Sequence, residues 1–153
     1  MLKHKVQAAT LIAWAAVLLW MLLIFTLSSQ VADKSADLSK GIVEIFIGMI
    51  EKIVPEYDVA LSSLEYFFRK GAHFFSYLVL GVLVMNALRR SGVEGFRLCI
   101  FALGICVLYA ISDEVHQLFV HGRSGQVTDV LLDSVGAVVG IGRLRLFMEG
   151  WRK

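Results

Sequence analysis

The chain is organised by four apolar stretches separated by polar ones. Residues 6–27 contain no charge and include Trp14, Trp20 and Phe25. Residues 71–88 are uncharged apart from His73, and residues 98–111 are wholly uncharged, with Phe96 and Ser112 extending them. Residues 130–147 form a weaker fourth stretch, interrupted by Asp133, Arg143 and Arg145. About 20 apolar residues in helical conformation cross the roughly 30 Å hydrocarbon layer of a bilayer. The pattern therefore predicts an all-α, integral membrane four-helix bundle in a single domain, residues 1–153. Its transmembrane helices lie at about 6–28, 66–89, 94–117 and 129–147.

Local signals refine the ends. Lys3 and Lys5 precede the first stretch as in a secretory signal, but the stretch outruns a 7–15-residue signal core and no clean small-x-small site follows. A retained helix is the expectation. Ser62-Ser63-Leu64-Glu65 has the form of a capping box, with Leu61 and Tyr66 placed as a staple, so the second helix is expected to begin ahead of its apolar part. Ser91-Gly92-Val93-Glu94 gives a similar start to the third, making helices two and three a tight hairpin. Between Gln30 and Ser62, Leu38, Ile42, Ile45, Phe46, Met49, Ile50 and Ile53 recur at helical spacing, with Lys40, Glu44 and Glu51 opposite. This predicts an amphipathic interfacial helix at about 36–54, in the first outer loop.

Composition agrees with a membrane setting: 58% of the residues are hydrophobic, more than a soluble domain of 153 residues can hide. The overall charge of +2 matters less than its placement. With a cytoplasmic N-terminus, the inner side carries Lys3, Lys5, Arg89, Arg90, Arg97, Arg143, Arg145, Arg152 and Lys153 against Glu94 and Glu149, a net +7. The outer side then carries six cations against eleven carboxylates, a net −5. Cytoplasmic flanks are the ones enriched in Lys and Arg, so both termini are placed inside. Cys99 and Cys106 lie seven residues apart on one helix face, too far to bridge, and are read as packing residues.

In this topology the polar residues of the apolar segments converge on the outer side. Charged groups near the bilayer centre cost on the order of 2.5–3.5 kcal/mol each, so they require a reason. Arg69, His73 and Tyr77 share one face of the second helix, with Lys70 beside them and Gly81 one turn deeper. Asp113 and Gln117 share a face near the end of the third, next to Glu114. Asp129, Asp133, Gly136 and Gly140 share a face of the fourth. Ser28-Ser29-Gln30 closes the first, and Arg123 lies in the connection before the fourth. Asp129 is placed to cap its helix, whereas Asp113 and Glu114 sit near a helix C-terminus, where the dipole disfavours anions. They call for partners elsewhere, with Arg69, Lys70 and Arg123 the supply. Gly136 and Gly140 form a small-xxx-small pair that lets a neighbouring helix approach. His116 and His121 are expected to be more exposed and peripheral.

The motifs Lys70-x-x-His73-Phe74-x-x-Tyr77-x-x-Leu80-Gly81, Tyr109-Ala110-x-Ser112-Asp113-Glu114-x-x-Gln117 and Asp129-x-x-x-Asp133-x-x-Gly136-x-x-x-Gly140, with Arg123, occur in order and resemble the VanZ-like membrane proteins. The resemblance covers about Ser28 to Gly140 and implies a multi-pass protein of the bacterial cytoplasmic membrane. The family takes its name from a protein linked to teicoplanin resistance; no settled chemistry comes with it.

Three functions fit the residues. The first is binding or handling of an anionic lipid or lipid-linked envelope component at the outer leaflet. Arg69, Lys70 and Arg123 would hold phosphate oxygens, and Asp113, Asp129 and Asp133 would orient those cations or hold a divalent ion. The second is an intramembrane hydrolase or transferase on a lipid-linked substrate, with His73, Asp113 and Glu114 as catalytic candidates. The third is a non-catalytic homo-oligomeric partner or transporter subunit. The ligand-binding set is Arg69, Lys70, His73, Tyr77, Asp113, Glu114, Gln117, Arg123, Asp129 and Asp133. No closed metal-ligand spacing appears, and neither a resident metal, another cofactor nor a nucleic-acid partner is expected.

Overall fold

The computed structural model describes residues 2–29, 41, 61–121 and 125–150. Four helices make up nearly all of these: α1 (Leu2–Ser28), α2 (Leu61–Arg90), α3 (Gly95–Gln117) and α4 (Val127–Gly150). The fold is all-α, as the apolar periodicity predicts. Three helices hold segments long and apolar enough to cross a membrane: Val6–Ser28, Tyr66–Arg90 and Gly95–Gln117. At 1.5 Å per residue each spans about 35 Å, so the protein is a multi-pass membrane protein. With 24 residues α4 is as long, but it carries Asp129, Asp133, Arg143, Arg145 and Glu149. Apart from Gly41, the amphipathic helix expected at 36–54 lies outside the described residues, as does the loop residue Arg123.

Contacts at both ends give the connectivity. At one end Gln117 of α3 donates to Ser28 of α1, and Lys70 and His73 of α2 face Asp129 and Asp133 of α4. At the other, Thr10 and Trp14 of α1 bond the Arg90 carbonyl and the Ser91 hydroxyl, and Arg145 of α4 reaches the Cys99 sulfur of α3. Successive helices therefore run antiparallel, and α2 and α4 run parallel. The core is built around α2, which packs on all three other helices: Tyr77, Leu80, Val84 and Met85 are buried against Val17, Ala102, Cys106, Ala137 and Ile141. Cys106 is a buried free thiol and Cys99 a half-buried one, in keeping with packing roles. The outward faces are strongly apolar. Leu11 is 71% exposed, Leu108 69% and Leu146 69%, a surface matched to lipid rather than water.

The helix starts differ from the expected ones. Already helical at Leu61, α2 places Ser62 inside the helix and not at its cap. Ser91-Gly92-Val93 ends α2 instead of starting α3. The amide of Val93 returns to the Leu88 carbonyl at 3.1 Å and that of Gly92 to the Arg89 carbonyl at 3.1 Å, a Schellman closure. Gly92 takes the φ of 87° this closure requires, which glycine adopts without steric cost. The extended residue before α3 is Glu94, whose side chain makes no cap bond.

The tightest packing lies between α2 and α4. A Cβ added at Gly81 would sit 2.7 Å from the Ala137 carbonyl oxygen, and one at Gly136 or Gly140 would strike the Phe74 or Leu78 carbonyl. The two backbones therefore touch through glycine on both sides. Replacing Gly140 by alanine should lower stability by about 1–3 kcal/mol through overpacking, despite alanine's better helix propensity. At Gly142 an added Cβ would meet nothing within 4 Å, so alanine there should be tolerated without loss. Thermal unfolding of the two variants in detergent checks the opposite responses.

Candidate functional site

The glycine contact sets α2 and α4 in a fixed register, and the polar residues follow from it. Nearest the helix ends, Lys70 forms an ion pair with Asp129, and its ammonium lies 5.3 Å from the Tyr66 ring centroid. One turn deeper, His73 Nδ1 stands 3.6 Å from Asp133 Oδ2. One further turn along α2, Tyr77 is fully buried, its ring 6.2 Å from that of Tyr109. The stripe Arg69–His73–Tyr77 thus descends from an exposed residue through a half-buried one to a buried one.

The last turns of α3 supply the third wall. Asp113, Glu114 and Gln117 are all buried there. Gln117 Nε2 donates to Ser28 Oγ at 2.9 Å and to Asp113 Oδ2 at 3.4 Å. The backbone amide of Gln126, just ahead of α4, donates to Glu114 Oε2 at 2.7 Å. Gly125 makes this approach feasible, because a Cβ there would lie 2.7 Å from the Glu114 carbonyl oxygen. Beside the cluster, His116 meets the Ser29 hydroxyl at 3.1 Å and the Phe25 ring at 4.5 Å.

Several oxygen atoms remain without a hydrogen-bond partner among the described residues: Tyr77 Oη, Asp113 Oδ1, Glu114 Oε1 and both carboxylate oxygens of Asp133. A buried polar atom left unpaired costs about 1–3 kcal/mol, so five together mark a strongly polar interior. The expected cation supply reaches these acids differently from the sequence reading. Lys70 is one turn nearer the helix end than His73 and meets Asp129, while Arg69 is exposed. Among the described residues no lysine or arginine pairs with Asp113, Glu114 or Asp133.

Of the ten residues proposed from sequence, Lys70, His73, Tyr77, Asp113, Glu114, Gln117, Asp129 and Asp133 gather at this end of the bundle, and Arg69 stands at its exposed margin. Ser28 and the Gln126 amide join them. Ser28 was legible only as a polar helix end, and a backbone amide leaves no sequence signal beyond its place before a helix. His73, Glu114 and Asp133, one from each of three helices, each offer a donor atom within 4.8 Å of the others. Spacing along a single helix could not reveal that grouping.

A family model described as VanZ/LLP1 matches residues 13–148, nearly the whole chain. No curated protein and no solved structure matches it. The chain belongs to the VanZ/LLP1 family.

The Lys70–Asp129 pair is shielded from water, each side chain less than one-fifth exposed, so its partners depend on one another. Lys70→Ala and Asp129→Ala should each lower stability by about 1–3 kcal/mol, and the double variant by little more than either alone. A double-mutant cycle on unfolding in detergent measures this coupling; strictly additive losses would contradict it.

Proposed function

With family membership as the premise, we propose that this protein crosses the bacterial cytoplasmic membrane four times, with both termini inside. In that orientation its polar cluster opens toward the outer leaflet and binds the head group of an anionic lipid or lipid-linked envelope component. The observation that carries the reading is the set of five buried oxygens without a hydrogen-bond partner among the described residues, lying beneath Lys70 and the exposed Arg69. A head group bearing both phosphate and hydroxyl or amine groups suits both tiers. Its phosphate would meet Arg69 and Lys70 by charge-assisted bonds, and its donors would satisfy the carboxylates and Tyr77 below. The outer-leaflet placement is supported by the basic residues at the opposite end, Arg89, Arg90, Arg97 and Arg143, which cytoplasmic flanks favour.

A second reading, catalysis on a lipid-linked substrate, is favoured by the His73–Asp133 pair. A carboxylate beside one imidazole nitrogen orients the ring and raises its competence as a general base. Loss of a lipid-dependent phenotype in Arg69→Ala and Asp113→Ala, with His73→Ala retaining it, would eliminate this reading.

Native mass spectrometry of the full chain is expected to show a retained phosphate-bearing lipid, weakened in the Arg69→Ala/Lys70→Ala double variant. Equal retention of neutral and anionic lipids would overturn the binding proposal. For topology, cysteine at position 69, in a chain with Cys99 and Cys106 replaced by alanine, should react with a membrane-impermeant maleimide added outside intact cells. Labelling only from the cytoplasmic side would invert the topology.

A further inference from the structure

We infer that His73, Glu114 and Asp133 form a binding site for one divalent transition-metal ion, set one turn beneath the Lys70–Asp129 pair. The three donors come from α2, α3 and α4 and lie within 4.8 Å of one another. Donor atoms on a tetrahedral ion with bonds near 2.1 Å stand about 3.4 Å apart, so small side-chain rotations draw this set together. An imidazole with two carboxylates suits zinc or manganese, the nitrogen favouring the former and the oxygens the latter. Three protein donors leave further coordination positions open to a ligand.

The hydrogen bonding is arranged as a metal site requires. The Gln126 amide fixes one oxygen of Glu114 at 2.7 Å, and Oε1 has no hydrogen-bond partner among the described residues. Asp133 is fully buried, and neither of its oxygens has a hydrogen-bond partner among the described residues, although His73 stands 3.6 Å away. A divalent ion would satisfy these lone pairs and balance charge that no lysine or arginine neutralises among the described residues. Two observations outside the triad point the same way. Asp113, only 3% exposed, has an Oδ1 without a hydrogen-bond partner among the described residues. The α3 C-terminus also directs its negative dipole end toward Glu114, which favours a cation there. His73, half-buried while the two acids are buried, is the member nearest the outside. An open position on the ion would receive a phosphate oxygen of the head group, a step that rests on the lipid-binding proposal; metal binding itself does not.

The test uses full-length protein in lipid-free detergent, stripped with a chelator and titrated separately with zinc and manganese chloride. One equivalent per chain of either metal is expected, with affinity unchanged in Gly142→Ala, which lies at the far end of α4 and meets nothing within 4 Å. In Asp133→Asn and Glu114→Gln it should weaken by more than the roughly 10–100-fold typical of losing an outer-shell partner. Equal binding in these two variants, or no stoichiometric binding by the parent chain, overturns the site. A His73→Cys variant loaded with cobalt provides a readout independent of variant stability. A thiolate-to-cobalt charge-transfer band supports ligation at position 73, and bound cobalt without that band overturns it. Metal uptake without preference for phosphate-bearing lipid would sink the lipid proposal alone, whereas lipid retention without metal uptake would sink this one alone.

Discussion

The structure depends on the backbone contact between α2 and α4. Gly81 on one helix and Gly136 and Gly140 on the other remove the side chains that would hold these helices apart. Once the backbones touch, register is no longer free, because shifting either helix would drive a carbonyl into a Cα or leave a void. That fixed register places Lys70 opposite Asp129 and His73 opposite Asp133. The glycines meet backbone of Ala137, Phe74 and Leu78 rather than the charged pairs, yet they decide which charges meet. Asp129, in the first turn of α4, also sits favourably at the positive end of its own helix.

Tight packing raises the cost of what it encloses. Where helices are held this close, a carboxylate cannot swing out to water, so Asp133 remains fully buried. The α3 end contributes Asp113 and Glu114 at the dipole end that favours cations. The cluster therefore concentrates negative charge on the inside and puts its paired lysine near the margin. This ordering refines the sequence reading, in which arginine and lysine meet the α3 acids directly. An anionic group entering from the exposed margin would meet the cations first and would require a mediator, or donor groups of its own, to reach the carboxylates.

The fold was largely legible because lipid imposes a simple rule on sequence. The apolar segments became helices, though α1 and α2 start four and five residues ahead of the expected 6 and 66, and alternating direction followed from four segments with short links after the second. The convergence of His73, Tyr77, Asp113, Gln117 and Asp133 was legible too, since helical spacing assigns faces and connectivity assigns ends. Two things escaped. Ser91 reads as a cap because a serine three residues before glutamate fits a helix start; Gly92 outweighs it, since its positive φ closes α2. The pairing of Lys70 with Asp129 escaped because it depends on the relative axial shift of two helices, which glycine positions constrain only once it is known which glycine meets which carbonyl.

The polar contacts in the bundle are of two kinds, and the difference bears on function. Trp20 donating to the Ser76 carbonyl at 2.9 Å, Tyr109 to the Met21 carbonyl at 2.5 Å and Gln117 to Ser28 are completed bonds between helices. They pin α1 and α3 in place, as a cluster that merely fixed helix register would. Asp133, Glu114, Asp113 and Tyr77 sit among them with oxygens that bond to nothing among the described residues. Selection for stability alone favours removing such groups, because apolar residues of similar volume would pack there at lower cost. Helices already pinned by completed bonds gain no register from unsatisfied acids. Their presence at the most constrained point of the bundle therefore supports a ligand-binding role over a structural one, with packing strength spent on holding acceptors ready for a cation or a donor from outside the chain.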